Sequence, residues 1–404
     1  MRPLLKTFAA FLLVLTLAAC GTVPPHRALP EDFKGMAAIN GYPANIRSWG
    51  DEAGEHLDTI IADRIATYKK IHEADYNRDQ KYPAMNYLAL SGGGNNGAFG
   101  AGVVTGWTQA RNRPEFSVVT GTSTGALIAP FAFLGPKYDD ALKGVFTTLN
   151  SSNIYSDDVL TLLDGVTGGL SLADNTPLLR EIQRAITPAM FAEIGKEHLK
   201  GRRLYVGTSN LEAQRSVIWD IGAIANSGNK DGLALFHKIM LASAAVPGVF
   251  KPVFINVTVS GKTYQEMHAD GGVTAQVFLF PLQTHRADRD LFVESKIDRN
   301  LYIIRNNKIV PEYTPMEPGL VSVSKRSLET LIKYQGLGDL YRLYIGAQRD
   351  GVKYHLVHIP SDFREESLET FDPTYMSALY DVGYAMGRAG DLWESAPPGV
   401  DYMD

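Results

Sequence analysis

Ser123 is the centre of Gly121-Thr122-Ser123-Thr124-Gly125, the G-x-S-x-G spacing in which a sharp turn holds a serine hydroxyl out as a nucleophile. The flanking glycines remove Cβ atoms that would crowd the turn, and a helix starting after the serine would aim its positive end at the serine oxygen. The pattern alone also describes a tight strand-to-helix turn with a capping serine. A hydroxyl of this kind attacks an acyl carbonyl only if a base removes its proton and donors hold the oxyanion that forms.

Donors are at hand upstream. The stretch LSGGGNNGAFGAG, Leu90 to Gly102, carries six glycines, and Gly92, Gly93 and Gly94 can turn neighbouring backbone N–H groups into one space at the start of a helix. Gly92, Gly94 and Gly97 also satisfy G-x-G-x-x-G, the dinucleotide fingerprint. That fingerprint needs an acidic residue at the end of the second strand, where this chain has GTSTG, with Glu115 before the strand. A phosphate-binding P-loop would need a following Gly-Lys-Ser or Gly-Lys-Thr, and none is present.

Two kinds of base are open. A serine–acid–histidine order would use His285, His355 or His358, but none has a catalytic signature around it, and all three read as core or surface histidines. Asp270, in His268-Ala269-Asp270-Gly271-Gly272, ends a strand where two glycines let the chain turn and present the carboxylate at the sheet edge. Asp-Gly is also a common hairpin turn.

These residues depend on elements that bring them together. Met85 to Ser91 reads as a buried strand, Ala98 to Arg111 as a helix, Phe116 to Ser123 as a second strand and Thr124 to Gly135 as a second helix. Strand, helix, strand, helix is a βαβ unit with parallel strands and a right-handed crossover. The glycine row and Ser123 then leave the same edge of one sheet, where open α/β folds bind ligands. Further strands are expected at Arg202 to Asn210, in a hairpin turning at Ser260-Gly261-Lys262, at Asn300 to Asn307 and at Tyr354 to Pro360. Helices are expected at Glu55 to Asp75, at Leu233 to Ala245 and from Asp372 onward. Residues 150–201 read as a loop-and-helix insertion.

Taken in order, SGGGNNG, GTSTG, SAAVPGVFKPV and DGG resemble the patatin-like phospholipase family, over roughly Asn86 to Val273. The resemblance implies an α/β three-layer fold with a central, mostly parallel sheet flanked by helices. It implies a serine acyl hydrolase without cofactor or metal that cleaves fatty-acyl esters of phospholipids or other lipids through an acyl-enzyme. Carried over by motif, Ser123 is the nucleophile, Asp270 the base, and Gly92, Gly93 and Gly94 the oxyanion loop. Many members have Arg or Lys where this chain has Asn96, which leaves phospholipid against neutral lipid open. Val249 and Phe250 are candidates for an acyl-channel wall or for plain core. The alternatives are an esterase with a histidine triad and a lipid-binding lipoprotein that no longer turns over.

The 404-residue chain has a net charge of -5 and 45% hydrophobic residues, with no basic run able to track a phosphate backbone, which argues against nucleic acid as a partner. Arg2 and Lys6 precede an apolar run from Phe8 to Ala19. As a helix that run spans about 18 Å, too short for a bilayer core of roughly 30 Å, and it reads as an export signal. It ends in Leu-Ala-Ala-Cys, and Cys20 is the chain's single cysteine, so no intramolecular disulfide can form. The ending resembles the lipobox of bacterial lipoproteins, which implies a lipid anchor on Cys20; Gly21 after it favours the outer membrane of the cell envelope. Cleavage elsewhere, with Cys20 discarded, is the alternative. The expected organisation is a signal at 1–19, a tether and one amphipathic helix at 20–84, a catalytic core at 85–290 and completing strands and helices at 291–404.

Overall fold

The structure is a computed structural model and describes residues 26–33, 35, 37–52, 57–148, 150, 154, 174–279, 295–367 and 371–400. Cys20, the export signal and His285 lie outside them. The first half runs β1 (Arg47–Trp49), α1 (Leu57–Ile71), α2 (Glu73–Asp79), β2 (Met85–Leu90), α3 (Gly97–Gln109), β3 (Val118–Thr122), α4 (Thr124–Leu134), α5 (Asp139–Thr148), α6 (Thr176–Ala185) and α7 (Pro188–Leu199). Then come β4 (Arg203–Asn210), β5 (Arg215–Asp220), α8 (Ile221–Ala225), α9 (Gly232–Ser243), β6 (Val253–Val259), β7 (Lys262–Asp270), β8 (Arg299–Arg305), α10 (Leu320–Asp350), β9 (Lys353–His358) and α11 (Pro373–Ala389).

The strands form one mixed, mostly parallel sheet in the order β1-β5-β4-β3-β2-β8-β9, with β7 joining β4 and β6 joining β7. β2 is parallel to both β3 and β8, and β3 is parallel to β4, as the βαβ reading requires. Both faces are covered. Leu88, Leu90, Val119, Val206 and Ile304 point into one apolar core, while Tyr87, Ala89, Val118, Leu301 and Ile303 point into the other, which α10 covers through Leu340 and Leu343. Alternate side chains buried on opposite faces are what a parallel sheet between helix layers demands. The β6–β7 hairpin turns on Ser260 and Gly261, both at positive φ, the two-residue turn whose twist suits its strands.

Three features depart from the sequence reading. The stretch of 20–84 ahead of the expected helix reads as a tether, yet its described residues between His26 and Trp49 are tied to the sheet. Ala28 bridges Gln265 and Ala38 bridges Thr258, β1 pairs with β5, and Arg47 binds the buried Glu266 carboxylate with Nη1–Oε2 at 2.5 Å. α10, with 31 residues, was not anticipated. The remaining glycines of the row, at 97, 100 and 102, let α3 lie against its neighbours. A Cβ on Gly102 would overlap the Tyr380 backbone of α11, and one on Gly383 the Phe99 backbone of α3.

Candidate active site

The site is assembled by register. Leu90 stands opposite Gly121, Thr122 opposite Gly207, and Thr208 opposite Asp270. Ser123, one residue beyond Thr122, therefore falls in the rank that Asp270 occupies two strands away. Both side chains are buried, and both line one cavity of about 960 Å³ together with Gly92, Gly93 and Gly94. All five predicted site residues that are described thus meet in one place.

Ser123 has φ 52° and ψ -125°, outside the regions a serine adopts without strain. Its amide donates to Ser243 Oγ at 3.0 Å, and the Ser243 hydroxyl donates onward to the Gly207 carbonyl at 2.7 Å. The flanking glycines are required by close approach. A Cβ on Gly125 would stand 2.6 Å from Ser91 O, and one on Gly121 would stand 2.5 Å from Gly125 O. Immediately after the serine, α4 opens with Thr124 and Gly125, whose amides have no acceptor within the helix.

Asp270 is fixed from three directions. Its amide donates to the Ala245 carbonyl at 2.9 Å, its strand pairs with β4, and its Oδ1 accepts from the Gly272 amide at 2.7 Å. Oδ2 is buried and has no hydrogen bond of ordinary geometry. Burial pushes the carboxyl up to about 6, against the opposing pull of the Ser123 hydroxyl and the Gly272 amide. The hydroxyl is thus near enough to pull on the carboxyl without making a hydrogen bond of ordinary geometry to it.

The glycine loop narrows the set of donors. Gly92 N donates to Gln276 O at 3.0 Å and is committed to structure. Among the described residues the amides of Gly93 and Gly94 donate to no protein acceptor, and Gly94 has φ 57°, where glycine is favoured. Residues that the sequence reading missed clamp this loop. Asn306 binds Ser91 through its amide and its Nδ2, each at 2.8 Å, and accepts from Gly100 N at 3.0 Å. Asn307 Nδ2 donates to Gly92 O at 3.2 Å, and Gln276 Nε2 donates to Gly272 O at 2.8 Å, tying the Asp270 turn to the loop. The Asn-Asn pair directly after an apolar strand was the available signal. Asn96 is structural: its Nδ2 donates to Asn307 and its Oδ1 accepts from Tyr375.

In the segment Ser243 to Val253, Val246 and Pro247 line the cavity, whereas Val249 faces solvent and Phe250 lies in the core. His355 stacks on Tyr302 at 4.6 Å and His358 binds Glu394 at 3.0 Å. No described histidine lines the cavity. Among the described residues no cluster of histidine, cysteine or acidic side chains is arranged to hold a metal ion, and no helix is long and apolar enough to cross a membrane.

The family model described as patatin-like phospholipase matches residues 88–282. No curated protein sequence matches the chain. Among solved structures, the crystal structure of VipD from Legionella pneumophila is similar, with 11% identity, a TM-score of 0.35, and coverage of 76% of this chain and 67% of that one.

Proposed function

We propose, from the match of residues 88–282 to the patatin-like phospholipase family model, that the chain is a lipid acyl hydrolase and cleaves fatty-acyl esters with a Ser123–Asp270 dyad. The observation that carries this reading is that Ser123 and Asp270 are both buried and line one cavity with Gly93 and Gly94, where burial pushes the Asp270 carboxyl up to about 6. An aspartate at its ordinary value of 3.8 would be a poor proton acceptor; burial makes this one a base poised just below neutrality.

Asp270 takes the proton from Ser123 as Oγ bonds to the ester carbonyl carbon. The carbonyl oxygen becomes an oxyanion, held by the amides of Gly93 and Gly94 and by the N-terminal end of α4. The alcohol leaves with the proton from Asp270, and the acyl group stays on Ser123. Water then gives a proton to Asp270 and attacks the acyl carbon; Ser123 regains its proton as the fatty acid departs. Leu328, Leu331 and Tyr334 of α10 supply an apolar wall to the cavity, suited to an acyl chain.

Cys20 lies outside the described residues, and the Leu-Ala-Ala-Cys sequence supports a lipid anchor there, in the outer membrane and beside the lipids to be cleaved. The test of the activity is mass spectrometry of a mixed lipid extract incubated with the full chain. Free fatty acid should accumulate with the wild type and not with a folded Ser123→Ala variant. Equal release by both would remove Ser123 from the mechanism.

A further inference from the structure

Four cations line the cavity among the described residues: Lys308 and Lys333 pair with Glu312 and Arg326 pairs with Glu329, whereas Arg305 has no such ion pair. Arg305, the last residue of β8, is 2% exposed and lines the same cavity as Ser123 and Asp270. Alternation along the strand sends Ile304 into the core on the far face and turns Arg305 toward α10. There Gly336 makes room, since a Cβ at that position would overlap the guanidinium.

A buried guanidinium is normally paired, and this one is not fully paired. Nη1 is buried without a hydrogen-bond partner. The carboxylate that acts on it is Asp339, which is engaged elsewhere: Oδ2 accepts from Gln276 N at 2.8 Å and from Val277 N at 3.4 Å, and Oδ1 faces Arg342 at 3.3 Å. Burial lowers Arg305 to about 10 even with Asp339 nearby, so it remains cationic at neutral pH. Asn96, in the glycine loop, is neutral and its amide is bound to Asn307. The cavity's buried positive charge comes instead from β8, beyond the matched residues 88–282.

We infer that Arg305 binds the phosphate of a glycerophospholipid, so that the lipid presented to Ser123 carries an anionic phosphodiester and is not a neutral glyceride. A guanidinium presents a planar fork of donors that matches two phosphate oxygens at once, and a phosphate in the cavity would supply the counter-charge that no carboxylate gives Arg305 as an ion pair. This rests on the ester-hydrolase reading for which lipid is cleaved, but the binding step can be measured apart from turnover.

The experiment measures affinities of the full chain for three probes: an ether-linked short-chain glycerophospholipid, which has no ester to cleave, the matching ether-linked diglyceride, and inorganic phosphate. The wild type should bind the phospholipid analogue at least tenfold more tightly than either other probe. Arg305→Gln should remove most of that preference and Arg305→Lys should restore part of it. Equal affinity of the wild type for the two ether lipids would overturn the inference whether or not the variants fold. Inorganic phosphate binding as tightly as the phospholipid analogue would mark a site for the free ion and overturn the headgroup assignment. A preference that survives in Arg305→Gln would leave Arg305 a structural counter-charge to Asp339. A chain that binds the ether phospholipid in this way but hydrolyses no ester would contradict the proposed activity alone.

Discussion

The Ser243 hydroxyl accepts the amide hydrogen of Ser123 at 3.0 Å and donates its own to the Gly207 carbonyl at 2.7 Å. One buried side chain thus ties the strained serine at the elbow to the strand that leads, one residue later, to the partner of Asp270. Ser243 opens the stretch SAAVPGVFKPV. Its placement makes it a positioning residue. Ser243→Ala leaves a buried donor and a buried acceptor unmatched, at about 1–3 kcal/mol for such a group. The expected result is a kcat reduced about tenfold with KM changed less than twofold, measured together with a denaturation curve; unchanged kcat would leave Ser243 a packing residue.

The pH profile follows from Asp270. In the proposed dyad Asp270 works only when ionised, so kcat/KM should rise with pH and reach half its plateau near pH 6, the value to which burial raises the carboxyl. A plateau already complete at pH 4.5 would mean that the carboxyl is not desolvated.

The same group costs stability. Its pKa is higher folded (about 6) than unfolded (3.8), so the native state binds the proton more tightly. That contribution is fully present below pH 3.8 and is lost as pH rises through 6, to the extent of about 2–3 kcal/mol by linkage. Asp270→Asn should therefore be more stable than the wild type at pH 8 and nearly equal to it at pH 3.5, as read by urea unfolding at the two pH values.

Two glycine substitutions separate steric need from backbone conformation. A Cβ on Gly125 meets the backbone of Leu90 and Ser91, neither of which can move without breaking the sheet, so Gly125→Ala should yield little folded protein. Gly94 has φ 57° with open space around its Cβ position, so Gly94→Ala should cost only about 1–2 kcal/mol. Purification yield and melting temperature check both, and comparable losses in the two variants would contradict the distinction.

His355 and His358 serve the C-terminal strand and not the cavity, held by Tyr302 and by Glu394. Replacing either with glutamine should change ester hydrolysis less than about twofold. A hundredfold loss from either would restore the histidine-triad alternative.

The local pieces were legible where short-range chemistry decides. GTSTG between an apolar strand and an apolar helix predicted the elbow, and Asp-Gly-Gly after a strand predicted an edge carboxylate. What stayed hidden depends on partners distant in the chain. Gly102 and Gly383 are glycines because α3 and α11 meet, and no local pattern shows that meeting. α10 has Leu340 and Leu343 on the face it buries but Leu331 and Tyr334 exposed, with Gly336 inside it, so no single apolar stripe announces it. Arg47 looked like part of a tether because its partner, Glu266, lies more than two hundred residues away. Even Gly92, read as an oxyanion donor, has its amide taken by Gln276, a residue outside every motif.

The dyad is tested most directly by the rate and the position of labelling with a fluorophosphonate, mapped by peptide mass spectrometry in the wild type and in Asp270→Asn. The expected outcome is one adduct on Ser123, formed at least about a hundredfold more slowly once the base is gone. An adduct on another residue, or equal rates in the two proteins, would contradict activation of Ser123 by Asp270.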